Sequence, residues 1–301
     1  KVGILTLNGY VNYGNRLQNY ALQEVIKNLG FEVNTIRINR QKKVPMSTRL
    51  NDISNLSELF AKIINRVNYH LERNKRESRK KIFIEFSRKY INETKNIIST
   101  DEEALELNNL YDFFITGSDQ VWNPNNLHGT TFYFLTFADK YKRISYAPSF
   151  GISEIDNQDK SNYKKWLSEM EKVSVREDDG ARIIKELTGR EAPVLVDPTL
   201  LLPKEQWLRI SNKPANKPEG KYLLTYFLGK IPNEYNKQIK QIAKLNNLRV
   251  VNLGNFKERE SYLTGPSEFI DFINDCTIFC TDSFHGAVFS IILEKPFIIY
   301  E

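Results

Sequence analysis

The segment Thr281-Asp282-Ser283-Phe284-His285-Gly286 joins a short apolar run to an apolar helical stretch, and it holds the residue best suited to move a proton. Ser283 reads as a helix N-cap, which places His285 in the first turn, close to the positive end of the helix dipole. A charged imidazole is disfavoured there until an anion binds, and an anionic ligand then turns it into a general acid. The alternative is a structural histidine, which is the reading for His70 in a basic helical region and His128 in a loop. A second polar cluster, Thr116-Gly117-Ser118-Asp119-Gln120-Val121-Trp122-Asn123-Pro124, follows an apolar strand. Polar groups with an aromatic ring suit a sugar, whose hydroxyls need donors and acceptors and whose apolar face stacks on a ring. The competing role for Trp122 is to anchor the loop in the core.

Two further segments could hold an anion. Gly9-Tyr10-Val11-Asn12-Tyr13-Gly14-Asn15 precedes a helix, and backbone N–H groups at such a terminus attract phosphate or carboxylate. Gly9 and Gly14 have P-loop spacing, but Asn15 and Arg16 stand where Lys and Ser/Thr are required, and the dinucleotide pattern is absent too. Here the alternative is that Gly14 and Asn15 only turn the chain and cap the helix. In Ser174-Val175-Arg176-Glu177-Asp178 the guanidinium of Arg176 could fork onto a carboxylate or phosphate, or simply pair with Glu177 or Asp178.

The elements that must position these residues alternate between short apolar strands and amphipathic helices. Lys1–Leu7 reads as a strand, Arg16–Leu29 as a helix closed by Gly30 in the left-handed conformation, and Phe31–Ile38 as the next strand. A polar, helix-prone region follows at 52–90. Strands are expected at Tyr111–Thr116, Arg143–Ala147, Val173–Arg176 and Pro193–Val196, with helices at Asp101–Asn108, Asn157–Glu171 and Asp178–Leu187. After a linker at Ser211–Gly220, strands at Lys221–Leu228, Leu248–Leu253, Thr277–Cys280 and Pro296–Tyr300 alternate with helices at Asn233–Leu245, Pro266–Asp275 and Phe284–Leu293. The expected architecture is α/β, with two Rossmann-like doubly wound domains facing a cleft. Residues 1–210 form the first domain, with a helical insertion at about 52–90, and 221–301 the second. The final apolar strand suggests that the second domain continues beyond Glu301.

At 301 residues the chain can build two cores. No apolar run is long enough to span a bilayer, and the start reads as a core strand rather than a secretory leader, which predicts a cytoplasmic protein. Cys276 and Cys280 read as buried thiols of a reducing compartment, and no metal-ligand cluster is apparent. A net charge of +6 favours an anionic partner. The run Arg73–Lys81, with Arg40–Lys43 adding three cations, reads as a solvated helix face. Its functional reading is weak attraction to anionic lipid head groups at the inner face of the membrane.

Taken in order, these segments resemble the polysaccharide pyruvyl transferase family. The matching pieces are Gly9–Asn15 leading into Arg16–Leu22, Ile115–Asn123, Ser145–Gly151, Ser174–Glu177, Val196-Asp197-Pro198-Thr199, Gly265–Phe269 and Thr281–Gly286. The resemblance implies a glycosyltransferase-B-like fold, phosphoenolpyruvate as donor, and donor-binding and catalytic positions at Arg176 and His285. Some members carry Arg-x-His where this chain has Ser283-Phe284-His285, which removes one cation; Arg16 or Arg143 could replace it. His285 is then the acid and Asp119 the base, with Arg176, Ser283, Gly14 and Asn15 as donor-binding residues. Asn12, Ser118, Gln120, Trp122 and Asn123 are the acceptor-binding residues. No metal or cofactor is required beyond phosphoenolpyruvate as co-substrate, the acceptor is a glycan or lipid-linked saccharide, and nucleic acid is not a partner. Two rival readings are a nucleotide-sugar glycosyltransferase that recruits Glu268 for the ribose, and a non-catalytic binder of anionic polymer.

Overall fold

The computed structural model of the chain describes residues 1–39, 56–127, 131–215, 217–255 and 259–301. Arg40–Lys43 and His128 lie outside the described residues, as does the side chain of His70. In the first half the elements run β1 (Val2–Leu5), α1 (Tyr13–Asn28), β2 (Val33–Ile38), α2 (Leu56–Tyr90), β3 (Glu93–Ile98), α3 (Asp101–Leu107) and β4 (Phe113–Thr116). They continue through α4 (Pro124–Leu127), β5 (Arg143–Ser145), α5 (Asn157–Ser168), α6 (Asp178–Thr188) and α7 (Lys204–Ile210). The second half holds β6 (Tyr222–Tyr226), α8 (Asn233–Leu245), β7 (Arg249–Leu253), α9 (Arg259–Tyr262), α10 (Pro266–Asp275), β8 (Ile278–Thr281), α11 (Phe284–Ile292) and β9 (Phe297–Ile299).

Two parallel sheets result, with strand orders β3-β2-β1-β4-β5 and β7-β6-β8-β9. Central strand β1 is buried along its whole length, and parallel pairing aligns Val2 with both Val33 and Phe113. On one face of this sheet Val2, Ile4 and Val33 pack with Leu22 and Ile26 of α1; on the other, Leu5, Ile36 and Phe114 join a large aromatic core. In the second sheet Leu223 packs against Ile239 and Ala243 of α8, while Tyr222, Leu224 and Tyr226 face α10 on the opposite side. Residues alternating along a strand therefore serve two faces, which defines doubly wound sheets. No helix among the described residues is long and apolar enough to cross a membrane.

Most of the expected elements are present, and the departures have physical reasons. The strands expected at Val173–Arg176 and Pro193–Val196 reduce to a single parallel bridge, Val175 with Val194. Serine side chains occupy the ladder positions: Ser174 Oγ donates to Ser145 O at 2.7 Å, and Ser145 Oγ donates to Ser174 O at 2.9 Å. Such local bonds compete with regular pairing. Strand β3 and helix α7 were not expected. The first is a polar edge strand with three exposed residues in six, and the second is a short helix just before the polar segment that leads to β6.

The helix expected as an excursion at 52–90 forms α2, and its C-terminal part belongs to the core. Phe83 and Phe86 pack with Tyr13 and Leu17 of α1 and with Phe269 and Ile270 of α10, so one apolar cluster spans both sheets' helices. Arg79, within the basic run, is buried. Its guanidinium donates to the carbonyls of Tyr262 and Val11, and it lies 4.9 Å from the Tyr13 ring centroid. The run is therefore a largely exposed face with one cation turned inward as a staple.

Candidate active site

Helix α1 begins at a turn built for close approach. Asn12 is its N-cap, with its side chain accepting from Asn15 N at 3.2 Å, and Gly30 at φ +87° follows its last turn. The helix is buried on nearly every side from Tyr13 to Gln23, because it lies between the two halves of the molecule. Tyr13 stacks on Phe269 at 4.2 Å between centroids and donates to Thr264 O at 3.1 Å. Gly14 then faces the second half directly: a Cβ built there would sit 2.2 Å from Nδ1 of His285. Only hydrogen fits at that position.

On the second half, Ser283 caps α11 as expected, its Oγ accepting from Gly286 N at 3.3 Å. His285 follows in the first turn and is buried. Its Nε2 points at Oδ2 of Asp197, 3.6 Å away, and makes no hydrogen bond. Asp197 is only 1% exposed and is the hub of the site. Its Oδ2 also meets Arg176 Nη1 at 3.2 Å and Ser118 Oγ at 2.9 Å, while Oδ1 accepts from Thr199 N at 3.1 Å and Thr199 Oγ1 at 2.8 Å. Burial alone would raise the pKa of this carboxyl. His285 and Arg176, helped by the Thr199 N–H, outweigh burial and hold it well below the ordinary carboxylate range.

Arg176 adds a flat contact, its guanidinium 4.3 Å from the centroid of the Phe284 ring, and a looser approach to Glu177 at 3.9 Å. The expected alternatives for Arg176 were Glu177 and Asp178, but the strongest partner is Asp197, 21 residues on. The loop after β4 is set by a cis peptide at Gly117–Ser118 and by Gln18 of α1, whose Oε1 accepts from Ser118 N at 3.1 Å. Gly117, at φ +112°, lies so close to Tyr146 O that a Cβ would approach it to 2.3 Å. Two residues on, Asp119 accepts from the Asn15 side chain and from Gln120 N at 2.8 Å. Neighbours Gly14 and Asn15 thus touch His285 and Asp119 respectively, which draws the three polar loops together.

Other sequence-derived expectations are corrected. Trp122 is fully buried: its indole N–H donates to Tyr133 O at 3.1 Å and its ring stacks on Phe134, so it anchors the loop and has no face for a sugar. Asn123 caps α4, accepting from Asn125 N at 2.9 Å, and Gln120 and Asn123 both crowd Gly151. Neither Arg16 nor Arg143 supplies the missing cation. Arg16 pairs with Glu93 at 2.9 Å and donates to Leu7 O at 2.9 Å; Arg143 pairs with Glu169 at 2.9 Å and donates to Ala138 O and Thr136 O. The carboxylate of Glu268, which a ribose would need, is engaged by Gly265 N at 3.1 Å and Asn212 Nδ2 at 3.0 Å. Among the described residues no cluster of His, Cys, Asp and Glu could hold a metal ion.

Asp197 is the residue that sequence reasoning left without a role. The signal was present in Val196-Asp197-Pro198-Thr199, where Asp and Thr two apart form a side-chain turn, but its partners lie 21, 79 and 88 residues away.

Two doubly wound sheets with a charged cluster gathered between them define a two-domain α/β protein of the glycosyltransferase-B kind. The chain belongs to the polysaccharide pyruvyl transferase family, whose model matches residues 12–301. Among solved structures, the UDP-GlcNAc 2-epimerase of Methanocaldococcus jannaschii is similar at 13% identity and a TM-score of 0.50, covering 99% of this chain and 83% of that one. The heptosyltransferase II of E. coli lipopolysaccharide is similar at 12% identity and a TM-score of 0.40, covering 99% and 84%. Comparison with curated protein sequences gives no significant match.

Proposed function

We propose that this chain transfers the pyruvyl group of phosphoenolpyruvate to two hydroxyls of a glycan sugar, forming a ketal and releasing phosphate. The observation that carries this reading is the meeting of Arg176 and His285 at Asp197, one from each half, within a chain that belongs to the pyruvyl transferase family. Protonation of the donor's methylene carbon makes C2 electrophilic, and the first sugar hydroxyl adds there. The C2–O bond to phosphate then breaks with its electron pair, and the second hydroxyl closes the ketal. Of the two hydroxyl protons, one balances the proton delivered to the methylene and the other leaves on phosphate. His285 supplies the acid, Arg176 offers the donor's carboxylate or phosphate a guanidinium fork, and Asp119 takes a hydroxyl proton.

Asn12, before α1, and Gln120, half-buried on the loop after β4, form the proposed acceptor side, with Ser283, Gly14 and Asn15 on the donor side. The acceptor is a cell-surface saccharide, free or lipid-linked, and the reaction takes place in the cytoplasm, with the basic face of α2 at the membrane. Against a nucleotide-sugar reaction stands the engagement of Glu268 in capping α10.

Ligand-dependent melting tests this directly, because a ligand that binds only the folded chain raises its stability by mass action. Phosphoenolpyruvate should raise the melting temperature, and uridine or guanosine diphosphate should not. In Arg176→Ala the response should require about tenfold more phosphoenolpyruvate, the loss of roughly one charge-assisted hydrogen bond. Stabilisation by the diphosphates alone would overturn the reading.

A further inference from the structure

We propose that Asp197 is a positioning residue for His285, directing a proton onto Nε2 so that Nδ1 becomes the nitrogen that exchanges a proton during turnover. The inference rests on the pyruvyl-transfer reading and adds to it the atom that acts and the residue that selects that atom.

Geometry carries the argument. Asp197 is an ionised carboxylate inside the protein, and an ionised carboxylate can only accept. Its Oδ1 is filled by the two Thr199 donors, and its Oδ2 by Arg176 and by a Ser118 hydroxyl that also lies 2.8 Å from Ala147 O. The single hydroxyl hydrogen of Ser118 can therefore turn to either oxygen, leaving capacity on Oδ2. Facing that capacity at 3.6 Å is Nε2 of His285, a buried ring nitrogen with no hydrogen-bond partner. A bare lone pair on Nε2 would oppose the carboxylate's charge, whereas an N–H would meet it. The separation is slightly beyond a hydrogen bond, a looseness common at catalytic contacts before substrate tightens them.

The other nitrogen is set by a different residue. Nδ1 lies against Gly14, so close that a Cβ there would sit 2.2 Å from it, at the start of the helix that also carries Asn15 and, through it, touches Asp119. With Nε2–H held by Asp197, the neutral ring presents a lone pair at Nδ1 and the charged ring an N–H there. The same carboxylate holds Arg176, so one buried anion places the acid and the donor clamp in fixed relation. The arrangement matches the general logic of a carboxylate orienting a catalytic imidazole, in which an amide substitution preserves shape but selects the wrong tautomer.

The test is nitrogen-15 NMR of the histidine rings in the full chain. Only three histidines are present, and the His285 signals are identified by their loss in His285→Gln. In the wild-type protein the neutral His285 ring should be the Nε2–H tautomer. In Asp197→Asn the tautomer should shift or become mixed. The kcat on phosphoenolpyruvate should fall by about 10²-fold or more, with the acid limb of its pH profile displaced and the KM changed less. A purely structural Asp197 would lower the melting temperature and leave tautomer and pH profile unmoved, which overturns the proposal. The wild-type spectrum decides by itself if the variant does not fold: an unprotonated Nε2 in the neutral ring also overturns it. The predicted tautomer in a chain that does not turn over phosphoenolpyruvate would count against the pyruvyl reading while leaving the Asp197–His285 pairing in place.

Discussion

Gly14 and His285 touch across the two halves of the molecule, and neither belongs to an unusual local structure. The first turn of α1 could accept alanine as far as its own backbone is concerned, since no positive φ is found at Gly14. The constraint comes from a ring 271 residues away, 2.2 Å from where a Cβ would sit. Gly14→Ala should therefore displace the imidazole from Asp197 and lower turnover by about 10²-fold or more, the scale of losing a general acid. Because Asp197 would keep Arg176, Ser118 and Thr199, donor binding should change less than rate. Steady-state kinetics with varied phosphoenolpyruvate checks this split, and unchanged kcat would mean that the contact is dispensable. His285 and Arg176 were visible in the sequence because each stands at the end of a strand-like run beside small or polar residues. Asp197 was visible only as part of a motif, since its importance lies in partners distant along the chain. Trp122 misled because a ring among polar residues looks the same in sequence whether it faces solvent or the core.

Helix α1 shows how an element can be read correctly and still be misjudged. Its apolar positions Leu17 and Ala21 mark one buried face and Leu22 and Ile26 another, and the positions between them carry Asn15, Arg16, Gln18, Asn19 and Gln23. On a surface helix these would be solvated, but here all five are buried and hydrogen-bonded to first-half partners such as Asp119, Glu93, Thr6, Thr35 and Tyr90 O. The second half covers the apolar face of Tyr13, Leu17 and Tyr20. Arg16 is the largest case: a fully buried guanidinium paired with Glu93 of β3, an edge strand too polar to be recognised in sequence. Removing one member of a buried pair strands the other, so Arg16→Ala should cost about 3–5 kcal/mol of stability. Denaturant titration measures this, and a loss under about 1 kcal/mol, typical of exposed pairs, would show that the pair is solvated. The same cover over α1 keeps the loop of residues 9–15 in place opposite α11. Strands at Val173–Arg176 and Pro193–Val196 were overcalled for a related reason: their apolar spacing was right, but Ser145 and Ser174 answer each other through side chains.

Across the whole molecule, alternation of apolar strands and amphipathic helices was enough to read two doubly wound sheets, with the polar stretch Ser211–Gly220 between α7 and β6. What alternation could not show is that the halves share a core. Tyr13 and Leu17 of α1, Phe83 of α2, Trp207 of α7 and Phe269 and Phe289 of α10 and α11 form one cluster, with Tyr226 of β6 set edge-on to Tyr13. Contacts of that kind depend on three-dimensional closure rather than on local periodicity. The shared core holds the two halves in register, and the proposed site is assembled only in that register, with Arg176, Ser118 and Asp197 on one side and His285 on the other. The account therefore stands or falls on chemistry that needs both halves. The most direct measurement incubates the chain with phosphoenolpyruvate and a saccharide acceptor and follows released phosphate together with pyruvate ketal on the product. The account predicts one phosphate per ketal for the wild-type chain and a rate reduced by about 10²–10⁴-fold in His285→Ala at unchanged melting temperature. Equal rates in the two proteins, or consumption of a nucleotide sugar with phosphoenolpyruvate untouched, would contradict it.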